Sequence, residues 1–379
     1  MTKVYFDNAA TTPISEDVAD IVSQVMKNNF GNPSSIHSFG RESRSLIEGT
    51  RKSIADELNV KSSEIIFTSG GTESNNMIIK GAVETHKIKR IITTKIEHKA
   101  VLVASESCKI KYDIELVYIN VNNQGFPDLI ELENLLSSSD KETLVSLMHI
   151  NNEIGSIIDL SEVGNICKKF NALFHSDTVQ TIGHYKIDLS KINIDFITCS
   201  AHKFHGPKGI GFTFVREKLK FNSLIEGGAQ ERGLRGGTES VHNIAGLKVA
   251  FIEAYKKLDN EKEKIQDLKK YFISELRKSI DFKINGSINK SSYTILNILL
   301  PIDVEKKPIL NFKLDIEGIA CSAGSACQSG SDKPSHVLTE ILDSDAMKNI
   351  SLRFSFSKLN KKDEVDKVVH FLNKFINDN

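Results

Sequence analysis

Residues 195–211, Asp195-Phe-Ile-Thr-Cys-Ser-Ala-His-Lys-Phe-His-Gly-Pro-Lys-Gly-Ile-Gly211, set a lysine among small and basic residues directly after a short apolar run. Asp195 to Cys199 has the length and composition of a buried strand, and Gly206, Pro207 and Gly209 mark a turn before a second apolar run, Ile210 to Val215. Lys203 therefore falls at the end of a sheet strand. His202, His205 and Lys208 crowd it with potential positive charge, and cationic neighbours or desolvation lower a lysine pKa from about 10.4 towards neutrality. A neutral amine is what Schiff-base chemistry needs. Taken alone, the stretch reads more simply as a solvated basic loop.

Three further stretches follow predicted strands. Ser69-Gly70-Gly71-Thr72 opens a helix, where glycines let the backbone approach a ligand and free amides suit a phosphate; the GK[ST] ending of a P-loop is missing. Glu97-His98-Lys99 opens another helix. His175-Ser-Asp177-Thr-Val-Gln180 puts an acid at a strand end, where burial is costly without a positive partner such as a lysine, a metal or a protonated pyridine nitrogen. Pyridoxal phosphate asks for this set: a Schiff-base lysine, an acid against its ring nitrogen, donors for its phosphate and a group over its ring. A metal site on His98, His175 and Asp177 would leave the lysine and the glycine turn unexplained, so no metal is expected.

Alternating strands and helices must position these groups. Strands are predicted at 65–68, 91–93, 114–119, 143–150, 172–174 and 195–199, with helices at 72–88, 97–107, 128–136 and 160–170 between them. Such alternation implies βαβ units around a mostly parallel sheet, with ligands beyond the carboxyl ends of the strands. After a long helical region from Val241 to Lys278 the pattern changes to a strand at 293–300, a helix near 315–320, a strand at 350–356 and a last helix at 362–375. The expected division is a large α/β domain over 13–258 and a small α+β domain from 1–12 and 259–379. The 379 residues suffice for both cores. Lys+Arg and Asp+Glu are both 49, so no net field draws nucleic acid or an anionic membrane. No signal-like or membrane-spanning run is seen, and a cytoplasmic location is expected. The five cysteines form no CxxC pair, which argues against a disulfide framework and a zinc site. Cys108, Cys167 and Cys199 read as core or surface residues, and Cys321 as buried at the end of a helix.

Gly31-Asn-Pro-Ser-Ser-Ile-His37, Ser69-Gly-Gly-Thr-Glu-Ser-Asn75, Glu97-His-Lys-Ala100, His149-Ile-Asn-Asn-Glu-Ile-Gly155, His175 to Gln180, Ser200-Ala-His-Lys203 and Gly324-Ser-Ala-Cys327 together resemble the cysteine desulfurases, in the same order from Asp7 to about Phe356. These are class V aminotransferase-like enzymes of fold-type I, a pyridoxal-phosphate transferase fold with a large parallel-sheet domain and a smaller α+β one. The resemblance implies that Lys203 binds pyridoxal phosphate covalently, Asp177 pairs with its ring nitrogen, Gln180 meets its phenolic oxygen and His98 stacks on the ring. Gly71, Thr72, Ser200 and His202 fall at the phosphate, with Thr238 donated by the partner of a homodimer. Asn152 and Arg353 match the pair that holds the substrate carboxylate, which a planar guanidinium suits.

Cys327 lies in Ser322-Ala-Gly-Ser-Ala-Cys-Gln-Ser-Gly-Ser-Asp-Lys-Pro-Ser335, small and polar residues that cannot pack a core. A thiolate there can attack the substrate sulfur. The resemblance implies conversion of L-cysteine to L-alanine, with sulfur held on Cys327 as a persulfide and passed to an acceptor protein for iron-sulfur cluster assembly or tRNA thiolation. Another class V enzyme, a selenocysteine lyase or an aminotransferase, is the competing expectation, and a catalytically silent scaffold of the same fold is a third.

Overall fold

The computed structural model describes residues 3–219, 221–323 and 334–377. In chain order the elements are β1 (Val4–Tyr5), α1 (Glu16–Asn28), α2 (Ser38–Leu58), β2 (Ile65–Thr68), α3 (Gly71–Thr85), β3 (Arg90–Thr93), α4 (Lys99–Tyr112), β4 (Glu115–Tyr118), α5 (Leu129–Ser137), β5 (Thr143–Ser146), α6 (Leu160–Lys169), β6 (Leu173–Asp177), β7 (Phe196–Ser200) and β8 (Gly211–Val215). There follow α7 (Val241–Lys256), α8 (Leu258–Arg277), β9 (Lys283–Ile284), β10 (Ile295–Asp303), α9 (Lys307–Ile316), β11 (Ile319–Ala320), α10 (His336–Ile341), β12 (Asn349–Ser355) and α11 (Lys362–Asn377).

Seven strands form one sheet in the order β2-β8-β7-β6-β5-β3-β4. Only β8 runs against its neighbours, antiparallel to both β2 and β7, so β2 points the same way as the parallel strands. Strands such as Phe196–Ser200 and Gly211–Val215 are buried along their whole length, as expected of a sheet covered by helices on both faces. One core joins α1, α2, α6 and α7 to a face of this sheet through residues such as Ile54, Leu58, Phe174, Phe212 and Phe251. The other face is closed by α3 and α4 through Met77, Ile78, Val101 and Cys108.

A separate core builds on the antiparallel β12-β10-β9 sheet, covered by α8 and α11. Its centre is a cluster of Phe6, Phe272, Phe354 and Phe356, with ring centroids 4.9 to 6.3 Å apart. Phe6 ties the chain start to the C-terminal elements, and β1 pairs in parallel with β11, Val4 opposite Ile319. Here the structure departs from the sequence expectation. The helix expected near 315–320 is α9, which ends at Ile316; Gly318 adopts φ 68 and releases the chain into β11. Cys321 thus follows a strand, half-buried, rather than a helix. The strand expected to reach Ile150 stops at Ser146, and the strand expected to end at Phe174 continues to Asp177. Among the described residues, no helix is long and apolar enough to cross a membrane.

Two buried features carry stability. Arg51 is 2% exposed and donates to both carboxylate oxygens of Glu231, at 2.7 and 2.8 Å, while Glu231 also accepts from the Phe67 amide at 2.8 Å. This pair holds a turn in which Glu231 and Arg232 take φ of 44 and 58, a left-handed conformation that non-glycine residues resist. Glu231→Ala removes the bidentate partner of the buried guanidinium, leaving it the half-exposed Glu48 and the Ile65 carbonyl, and is expected to cost about 3 kcal/mol; chemical unfolding of the variant checks this, and unchanged stability would contradict it. His149, His175 and His184 are the second feature: burial pushes each down to about 4. The folded protein therefore binds fewer protons than the unfolded chain between the ordinary histidine pKa, about 6.5, and 4, so stability is present above that window and is lost as pH falls through it. The melting temperature should drop between pH 6.5 and 4, and a flat profile would contradict the assignment.

Candidate active site

Gly211 is the point where two of the predicted stretches meet. It pairs with Thr68 at the end of β2 and with Ser200 at the end of β7, so the glycine turn and the lysine turn leave the sheet side by side. A Cβ at Gly211 would lie 2.2 Å from the Cys199 carbonyl oxygen and 2.9 Å from Gly70 Cα, which only glycine avoids. Gly70 has φ 143, and a Cβ there would sit 3.2 Å from Ser200 Oγ. Gly71 and Thr72 begin α3, whose first amides have no carbonyl one turn back and are suited to an anion.

Lys203 closes a 3₁₀ turn, Ala201–Lys203, immediately after β7. Its Nζ donates to the carbonyl oxygens of Ala9 at 2.6 Å and Ala10 at 2.8 Å, and Gln180 Nε2 donates to the same Ala9 oxygen at 3.0 Å. His202 Nδ1 lies 3.1 Å from Thr11 Oγ1, while the Thr12 amide and hydroxyl both donate to the His202 carbonyl at 2.9 Å. The expected crowd of positive charge is smaller than the sequence suggests. Burial, with Lys203 and Lys208 adding to it, pushes His202 down to about 4; burial does the same to His205, whose Nδ1 meets the Pro13 carbonyl at 2.8 Å. Both histidines are neutral at physiological pH.

Asp177 ends β6, one strand over from Ser200. It is 4% exposed; Oδ2 accepts from Asn75 Nδ2 at 2.7 Å and Oδ1 from the Val179 amide at 3.0 Å. These are neutral donors, and among the described residues Asp177 enters no salt bridge. A buried carboxylate so placed fits the protonated nitrogen of a pyridine ring. Asn75 was not singled out in the sequence beyond its motif, yet it orients this acid. His98 caps α4, its Nδ1 accepting from the Ala100 amide at 3.1 Å. Beside it, Glu97 is pushed up to about 8 by burial, and one of its oxygens accepts from the Met148 amide at 2.9 Å.

Arg353, on β12, is 2% exposed and meets three groups. Nη1 donates to the Asn152 carbonyl at 2.8 Å; Nη2 donates to Asp7 Oδ1 at 2.7 Å and to Ser322 Oγ at 3.0 Å. The pair expected from the sequence is thus in contact, through the main chain of Asn152, and Asp7 and Ser322 join it unforeseen. The need of a buried guanidinium for a counter-ion was the signal that could have found Asp7. Thr238 is exposed on the segment before α7, and no hydrogen bond among the described residues ties it to the lysine turn. Cys327 lies outside the described residues. Of the other cysteines, Cys108, Cys167 and Cys199 are buried, and burial raises all three thiols. Burial also pushes Cys321 up to about 12.

The aminotransferase class-V family matches this chain over residues 4–368. The chain is 43% identical over 381 residues to the cysteine desulfurase IscS of Dictyoglomus turgidum, covering 99% of this chain and 94% of that one. Among solved structures, a NifS-like protein superposes with a TM-score of 0.90 at 36% identity, covering 99% of this chain and 100% of that one. SspA in complex with cysteine superposes with a TM-score of 0.79 at 32% identity over 95% of this chain and 100% of that one. With the fold-type I sheet and its strand-end cluster in place, matches of this extent mean that the chain belongs to the class V aminotransferase family, in its cysteine desulfurase branch.

Proposed function

We propose that this protein is a pyridoxal-phosphate-dependent cysteine desulfurase, converting L-cysteine to L-alanine and moving the sulfur onto Cys327. The observation that carries the reading is the meeting of the Lys203 turn, the Gly70-Gly71 helix start and Asp177 at adjacent strand ends, with Asp177 buried against neutral donors only. Pyridoxal phosphate, when bound, supplies an electron sink for charge developing at the substrate α-carbon.

The chain's own residues do the rest. Lys203 Nζ would anchor the cofactor and, as a free amine, would take the proton from the substrate Cα. Asp177 would keep the ring nitrogen protonated, and Gln180 Nε2, which here donates to the Ala9 carbonyl, would supply a donor for the phenolic oxygen. Gly71, Thr72, Ser200 and neutral His202 would hold the phosphate, joined by Thr238 of a second copy. His98 would cover the ring and shuttle protons around the substrate thiol. Arg353 and Asn152 orient the substrate carboxylate; the SspA relative solved in complex with cysteine supports an amino-acid ligand of this kind.

The Cys327 thiolate then attacks the substrate sulfur: the new S–S bond forms, the carbon–sulfur bond breaks and its electron pair returns to the carbon that becomes the alanine methyl group. Cysteine plus thiol gives alanine plus persulfide, and no outside oxidant or reductant is needed. Cys108, Cys167 and Cys199 are buried and burial raises their thiols, which supports Cys327 as the nucleophile.

We further infer a homodimer. Met26, Phe30, Ile36 and Phe39 are 59, 72, 91 and 50% exposed, an apolar set near the chain start that suits a second copy of this chain. We propose a division into a cofactor domain over 13–258 and a second domain from 1–12 and 259–379, a reading supported by the phenylalanine-centred core of the C-terminal elements. A cytoplasmic sulfur-acceptor protein, an iron-sulfur scaffold or a thiolation enzyme, completes the reading.

Two variants test it. Lys203→Ala should abolish alanine formation, a loss of at least about 1,000-fold if the lysine is both anchor and base. Cys327→Ala should keep the cofactor's visible absorbance and lose sulfide release in the presence of a thiol reductant. Alanine and sulfide production at the wild-type rate in Cys327→Ala would rule out the persulfide step.

A further inference from the structure

Arg353 has five N–H donors, and the structure accounts for three of them: two on Nη2, to Asp7 Oδ1 and Ser322 Oγ, and one on Nη1, to the Asn152 carbonyl. Nε is buried without a partner. The guanidinium is therefore fixed through both Nη atoms, with one Nη1 hydrogen and the buried Nε–H left over. What fixes it electrostatically is Asp7, its one salt-bridge partner among the described residues, at 2.7 Å; the Asp7 side chain is 22% exposed against 2% for Arg353. Asp7 Oδ1 also accepts from Ser322 Oγ at 2.8 Å, so one oxygen anchors both the arginine and the hydroxyl that shares it.

Asp7 is held in turn by position. The Ser355 amide donates to the Phe6 carbonyl at 2.7 Å, the Asn8 amide donates to the Ser355 carbonyl at 3.4 Å, and Asn8 Nδ2 donates to that carbonyl at 2.8 Å. Two residues further on, Ala9 and Ala10 meet Lys203.

Resting on the proposal that Arg353 binds the substrate carboxylate, we infer that Asp7 is the positioning residue for that recognition: its carboxylate orients the Arg353 guanidinium against Asn152 before substrate arrives. A charge-assisted hydrogen bond is shorter and stronger than a neutral one, and its loss frees the arginine to seek other acceptors. The role concerns substrate binding rather than the chemical step, so it shows in KM more than in kcat.

The test measures kcat and KM for L-cysteine and for L-cysteinamide, which lacks the carboxylate, in wild-type holoenzyme, Asp7→Asn, Asp7→Ala and Arg353→Ala. Cofactor absorbance and melting temperature are recorded for each. Asp7→Ala should raise KM for L-cysteine by about 10-fold or more, with kcat changed less, and Asp7→Asn should do so by a smaller factor because it keeps an acceptor. KM for the amide should move little in either. If Asp7→Ala fails to fold or load, Asp7→Asn against wild type decides by the same comparison. Equal losses on both substrates, or an unchanged KM for L-cysteine while Arg353→Ala raises it, would overturn the inference and leave the substrate-site reading standing. An Arg353→Ala variant that still prefers L-cysteine to the amide would overturn both.

Discussion

Asp177 and Arg353 are buried and Lys203 half-buried, and polar groups so placed are tolerable only when they are hydrogen-bonded. One short segment supplies most of those partners. Between Asp7 and Thr12 the chain gives a carboxylate to Arg353, two carbonyls to Lys203, one of them shared with Gln180, and hydroxyls to His202 and the His205 amide. The segment also bridges two packing systems, because Phe6 sits in the phenylalanine cluster of the C-terminal elements while Thr12 bonds to the turn beyond β7. Residues that belong to different cores thus share one polar spine.

The sheet provides the other half of the arrangement. Because β8 runs antiparallel between β2 and β7, its first residue, Gly211, meets the ends of both neighbours and draws the glycine turn to the lysine turn. The absence of a side chain at Gly211 is what permits that closeness. Asp177 reaches the same edge because β6 runs three residues past Phe174 before it ends.

Much of this was legible in the sequence. Alternating apolar runs and amphipathic helices announced the parallel sheet, and the strand-end rule led to Lys203, Asp177 and the Gly70-Gly71 turn without any coordinates. The helices expected at 128–136 and 160–170 match α5 (Leu129–Ser137) and α6 (Leu160–Lys169) to within one residue, and in the structure each is opened by an aspartate cap, Asp128 and Asp159. What was not legible depends on pairing across long sequence separations. Nothing local marks Ile319-Ala320 as a strand, since two residues carry no periodicity; its identity comes from Val4-Tyr5, which lies at the far end of the chain. The same holds for Asp7 and Arg353, and for Asn75 and Asp177, whose contacts exist only after folding. The histidines beside Lys203 misled for a related reason: composition counts them as potential cations, whereas burial makes them neutral.

The central claim is that one lysine among many, Lys203, is the cofactor's anchor at this strand-end cluster. Borohydride reduction of the protein incubated with pyridoxal phosphate, followed by proteolysis and mass spectrometry, reads the attachment site directly. The account predicts that the reduced cofactor is found on the peptide containing Lys203 and is missing from Asp177→Ala or much diminished there. Modification spread over surface lysines, or centred on any lysine away from β7, would contradict it.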